Sequence, residues 1–249
     1  MIKKYILLGF VPLGLSSYIL LGFSYTALAQ PKLESRTTSV QKDLIFQESF
    51  EPPGDGEPKD TSGAGSRDGM RCSKNEQPIR PLMPKRNYAL TLEERPSIYI
   101  NLPRTSARQV VLTFQDEAGK SYERAFLPIT AQAGIVGFSL PDTKPPLKIG
   151  INYQWSLAVV CGKTVQPDDP VFKGWVQRVA RSPEMEKELG QQSAPDLVVW
   201  YANRGYWYDM LKSIIQAKQT RPSDTKLTAF WENVLKSVGL YDSVSLPLK

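Results

Sequence analysis

Between about residue 82 and residue 180 the apolar side chains recur with a period of two, and after Arg181 they recur with the period of a helix. No other feature constrains the fold as strongly. A two-residue period buries one face of a strand, and a 3.6-residue period buries one face of a helix. Seven short runs carry the first pattern: residues 88–92, 97–102, 110–114, 122–129, 135–140, 153–159 and 171–179. Turn-forming stretches such as Asp116-Glu117-Ala118-Gly119 separate them, and Pro103 stops the second run. Short alternating strands at this spacing, with no helical period among them, predict a seven-stranded antiparallel β-sandwich. Beyond it, Ser182-Pro183-Glu184 reads as a helix start and Ser193-Ala194-Pro195-Asp196 as a second. Trp207, Met210, Leu211, Ile214 and Ala217 line one face of a third helix. Ser223-Asp224 cap a fourth, whose stripe is Leu227, Phe230, Trp231, Val234, Leu235 and Val238.

Two local resemblances refine this α+β reading. The segment from Leu147 through Gly150 to Tyr153 is similar to the tyrosine corner of immunoglobulin-like and fibronectin-like domains, in which a Tyr hydroxyl bonds back to the upstream backbone. In the helical part, Leu197, Tyr201 and Gly205 recur as Trp231, Leu235 and Gly239 at the spacing of a tetratricopeptide repeat. Such arrays need about three units to be stable. The expectation is therefore a small tetratricopeptide-like cap packed on an immunoglobulin/fibronectin-like sandwich.

The first residues read as an export signal. Lys3-Lys4 precede an uncharged, apolar stretch from Tyr5 to Gln30, which closes on Ala27-Leu28-Ala29. This is the form of a secretory signal peptide cut after Ala29. An uncleaved anchor competes with that reading, but Pro12 and Ser16-Ser17 weaken a spanning helix. Export places the protein in the periplasm or outside the cell, with no transmembrane segment in the mature chain. In an oxidising compartment the two cysteines, Cys72 and Cys161, are expected to form a disulfide rather than remain free thiols.

The chain has 249 residues and no His. That excludes Ser-His-Asp and Cys-His nucleophile pairs, and two Cys alone cannot complete a four-ligand zinc site. No metal site or cofactor is expected. The formal charge of +6 includes Lys3 and Lys4 of the leader, and no run of basic residues supports a nucleic-acid partner. The carboxylate pairs Glu93-Glu94, Asp116-Glu117 and Asp168-Asp169 read as solvated turns, not as acids facing each other across a cleft. Ser223-Asp224-Thr225-Lys226 matches a serine–lysine motif but lacks its companion motifs. The glycines between Gly54 and Gly65 lack the Lys-Ser/Thr ending of a phosphate loop. Trp200, Tyr206 and Tyr208 form the candidate interaction surface, because Trp and Tyr combine contact area with a polar handle. Trp207 and Trp231 lie on the apolar stripes and are expected in the core.

A wider resemblance covers nearly all of the mature chain. It rests on Phe50-Glu51-Pro52-Pro53, Gly63-Ala64-Gly65-Ser66-Arg67, Cys72, Pro145-Pro146-Leu147, Tyr153 and Trp155. It continues through Cys161, 174–179, Tyr201-Ala202, Trp207-Tyr208-Asp209 and Ser237-Val238-Gly239-Leu240. Together these resemble the cyanobacterial secreted family catalogued as domain of unknown function 928. The step from Arg67 to Cys72 is longer than usual there, and Met210 stands where an Ala is usual. The resemblance implies export from a cyanobacterium and brings no activity, cofactor or catalytic residue with it. The resulting organisation is a signal peptide (1–29), an irregular Pro/Gly-rich arm (30–78), a β-sandwich (79–181) and a C-terminal helical region (182–249). The functional expectation is a non-enzymatic module that binds an extracytoplasmic protein or envelope component. The alternative is a carboxylate-dependent enzyme acting on envelope glycans.

Overall fold

The computed structural model describes residues 58, 61, 70–130, 133–240 and 247–248. The expected leader and most of the expected arm lie outside these residues. The described elements are α+β. Eight strands run β1 (Arg80–Pro81), β2 (Tyr88–Thr91), β3 (Ile98–Leu102), β4 (Gln109–Asp116), β5 (Ser121–Pro128), β6 (Gly134–Phe138), β7 (Asn152–Val160) and β8 (Val171–Arg178). Four helices follow: α1 (Pro183–Leu189), α2 (Ala194–Ala202), α3 (Trp207–Thr220) and α4 (Thr225–Ser237).

The strands form two sheets, one in the order β1-β3-β6 and one in the order β2-β8-β7-β4-β5. This departs from the expected seven antiparallel strands in two ways. β1 is an added strand of two residues, too short to show any alternation. β2 pairs with β8 in parallel, Tyr88 opposite Trp175, so the larger sheet is mixed. A parallel pair needs a long connection, and here it runs through β3 to β7, strands of both sheets; side-chain periodicity carries no information on strand direction.

Along β7 the core-facing residues are Tyr153, Trp155, Leu157 and Val159, alternating with half-exposed neighbours. Trp155 stands between Phe114 of β4 and Gly174 of β8. A Cβ at position 174 would lie 2.4 Å from the Trp155 ring, so only glycine leaves room for that indole. One apolar core takes side chains from both sheets and from α2, α3 and α4. α3 packs on β2 and lies between α2 and α4. α4 buries Leu227, Phe230, Trp231, Val234 and Leu235, the face its sequence marks. Its cap is Asp224, whose carboxylate accepts from the Lys226 and Leu227 amides; Ser223 is exposed.

The chain's end returns to the smaller sheet. The Ile135 amide donates to the Pro247 carbonyl at 2.9 Å, and Leu248 forms a parallel bridge with Ile135. Gly134, at φ +133°, admits this approach: a Cβ there would collide with the Pro247 carbonyl oxygen.

Candidate functional site

The three aromatic residues expected at the surface are buried: Trp200 is 6% exposed, Tyr206 3% and Tyr208 2%. For Tyr208 the reason is a buried hydrogen-bond chain. The Trp155 indole donates to the Tyr208 hydroxyl at 2.8 Å, and that hydroxyl donates to the Trp175 carbonyl at 2.9 Å. Burial pushes the phenol far above its usual range. Tyr208 therefore locks α3 to the centre of the larger sheet. Trp207 does the same for the loop after β1, donating to the Leu82 carbonyl.

Trp200 and Tyr206 stack on each other, nearly parallel, with centroids 5.7 Å apart, and Tyr201 meets both edge-on. The Arg204 guanidinium lies 4.2 Å from the Trp200 centroid, a cation–π contact that closes over the ring. Glu188 of α1 accepts from the Trp200 indole and pairs with Arg204. The stack thus serves to join α1 to α2, and its faces are occupied.

Beside this stack sits the most perturbed acid among the described residues. Asp209, in the first turn of α3, is 2% exposed. Burial raises its pKa to about 7, against hydrogen bonds from Thr91 and the Leu92 amide and with the charge of Glu93 adding to the rise. Both Asp209 oxygens lie 3.2 Å from the Leu92 nitrogen. Glu93 itself is held by Lys212 at 2.9 Å. Burial, with the nearby Asp209 charge, also raises Tyr201 to about 12. Asp209 escapes a periodicity-based reading because helical stripes are sought among apolar residues. Its signal is an acid set within Trp207-Tyr208-Asp209-Met210-Leu211, all five of which are buried.

The cysteines do form a disulfide, Cys72–Cys161, with Cα atoms 5.2 Å apart. It ties the loop before β1 to the end of β7. The bond lies in an open cleft of about 710 Å³, lined also by Arg71, Ser73, Lys74, Gln166 and Asp168. Of the acidic pair expected on a solvated turn, Asp168 is exposed and Asp169 is 4% exposed. Asp169 accepts from the Cys161 amide at 3.0 Å and from the Gln166 amide at 2.8 Å, so its carboxylate shapes the cleft's wall. Arg71 donates to the Lys74 and Glu76 carbonyls and stiffens the opposite wall. The remaining acid pairs are dispersed. Glu94 pairs with Arg178 and Arg95, Asp116 accepts from the Lys120 amide, and Glu117 accepts from Asn152. Ser223 and Lys226 are exposed at the start of α4.

Among the described residues no group of three or more His, Cys, Asp or Glu is placed to hold a metal ion, and no helix is long and apolar enough to cross a membrane. No curated protein matches this chain. A sequence model of the family described as Domain of Unknown Function (DUF928) matches residues 62–248.

Proposed function

We propose that this chain, which belongs to the family described as Domain of Unknown Function (DUF928), acts as a non-enzymatic binding module in an oxidising extracytoplasmic compartment, where it engages a partner protein or an envelope component. The observation that supports this best is the cleft beside Cys72–Cys161. A covalent bond, a buried Asp169 and Arg71 hold its walls, while Ser73, Lys74, Gln166 and Asp168 are left exposed on them. Preorganised polar groups recognise a ligand without first spending its binding energy on ordering the site. The test is affinity capture from envelope extracts by the mature chain and by a Lys74→Glu/Asp168→Lys double variant. Both positions are exposed, so the variant should fold. A retained component that the variant loses supports the proposal; identical captures by the two proteins overturn it.

The finer descriptions belong to the same reading. Export after cleavage following Ala29 is in keeping with a disulfide and with the absence of membrane-length helices among the described residues; a cyanobacterial source is proposed with it on the family resemblance alone. The hydrogen bond between the Tyr153 hydroxyl and the Lys148 backbone supports an immunoglobulin/fibronectin-like corner. The succession α2–α3–α4, packed in order, supports a tetratricopeptide-like cap.

A glycan-directed enzyme is the second reading, favoured by the raised pKa of Asp209 next to Tyr206 and Glu93. Its difficulty is access, since Asp209 is enclosed by Thr91, Leu92 and α3. Hydrolysis of envelope glycans that disappears in Asp209→Asn, with the fold intact, would establish it.

A further inference from the structure

The cleft bounded by β1, the turn after β3 and the end of α4 differs in character from the one at the disulfide. We infer that it is a binding site for a small organic anion, with an oxyanion head on a body of about monosaccharide size. The inference is independent of the function proposed above.

The cleft has a volume of about 390 Å³, near the lower end of small-molecule sites. Two arginines reach it from separate segments. Arg80 lies on β1 directly opposite Asn101 of β3, and Arg104 follows three residues after Asn101, just past the end of β3. The strand pairing therefore brings both cations to the same end of the smaller sheet. Among the described residues that line the cleft none is acidic. Glu76, adjacent in sequence to its rim, is already engaged by Thr105 and by both the amide and the hydroxyl of Ser106.

The two arginines have different roles. Arg80 donates one N–H to the Gly239 carbonyl at 3.2 Å. This anchors its side chain and offsets the negative end of α4, which would otherwise repel an anion. A guanidinium has five donors, so the rest of the fork remains available. Arg104 is exposed and has no hydrogen bond or ion pair among the described residues. Paired guanidiniums suit carboxylate and phosphate oxygens, which they bind through parallel charge-assisted hydrogen bonds. Pro78 lines the cleft as well, over the buried Leu102 and Leu240, so its floor is apolar behind the charged head.

Binding to the full mature chain is measured by titration calorimetry with three probes of one size: glucuronate, glucose 6-phosphate and glucose. At least one of the charged sugars should bind, with affinity falling as salt rises, while glucose does not. Which one binds better tells a carboxylate ligand from a phosphate ester. Arg104→Glu, at an exposed position, should weaken binding at least tenfold. Lys163→Glu, on an exposed turn outside the cleft, should leave it unchanged. The inference is overturned if neither charged sugar binds more tightly than glucose, if Arg104→Glu binds as the parent does, or if Lys163→Glu weakens binding equally.

Discussion

Asp209 makes a single residue's ionisation a property of the whole fold. Its pKa is about 7 in the folded chain, against an ordinary value near 4 when unfolded. The fold therefore favours the protonated form. That stabilisation is fully present below about pH 4, and it is lost as pH rises through 7. The upper limit of the change is roughly 4 kcal/mol, from three pKa units at 1.36 kcal/mol each. Urea midpoints between pH 4 and 8 should fall with pH in the parent and lie flatter in Asp209→Asn; equal slopes in the two would disprove the assignment. Tyr208→Phe tests the neighbouring buried chain. It leaves the buried Trp155 indole N–H without an acceptor, worth roughly 1–3 kcal/mol, and takes one donor from the Trp175 carbonyl. A loss of 2 kcal/mol or more in chemical denaturation is expected; a change under 0.5 kcal/mol would show that the chain adds nothing.

At the scale of elements, α4 is the clearest case of a helix its own sequence specifies. Asp224→Ala should cost about 1 kcal/mol, read from thermal or urea unfolding, because two amides of the first turn lose their acceptor. Ser223→Ala should cost little, since that hydroxyl is not the cap. β7 was equally legible, because one of its faces is buried and the other half-exposed. β1 was not: two residues hold no period. The parallel pairing of β2 was hidden for a different reason. The alternation in residues 88–92 marks a strand, but with all four β2 residues buried it names neither a neighbour nor a direction. The aromatic cluster misled in the same way. α3 is enclosed between α2, α4 and β2, so Tyr208, off the apolar stripe, is buried just as Trp207 is. A stripe predicts one covered face and cannot reveal a helix covered on several. The candidate cleft was visible only in its disulfide, because Arg71, Lys74 and Gln166 are brought together by loops with no local pattern.

For the molecule as a whole, the Cys72–Cys161 bond closes a loop of 89 positions. Replacing both cysteines by Ala should lower stability by roughly 2–5 kcal/mol. Reductant should bring the parent's urea midpoint towards the variant's and leave the variant's unmoved; a variant as stable as the oxidised parent would remove the bond from the list of supports. The pairing of β2 with β8 adds a constraint of another kind, one of time. Tyr88 is made early and must wait for Trp175, and the hydroxyl that fastens Trp155 arrives later still, on α3. A nascent chain emerging N-terminus first cannot finish its larger sheet until β8 has been made. Contacts this distant in sequence make for slow, all-or-none assembly. Until then β2 is an apolar strand without a neighbour, the kind of segment that holdase chaperones shield.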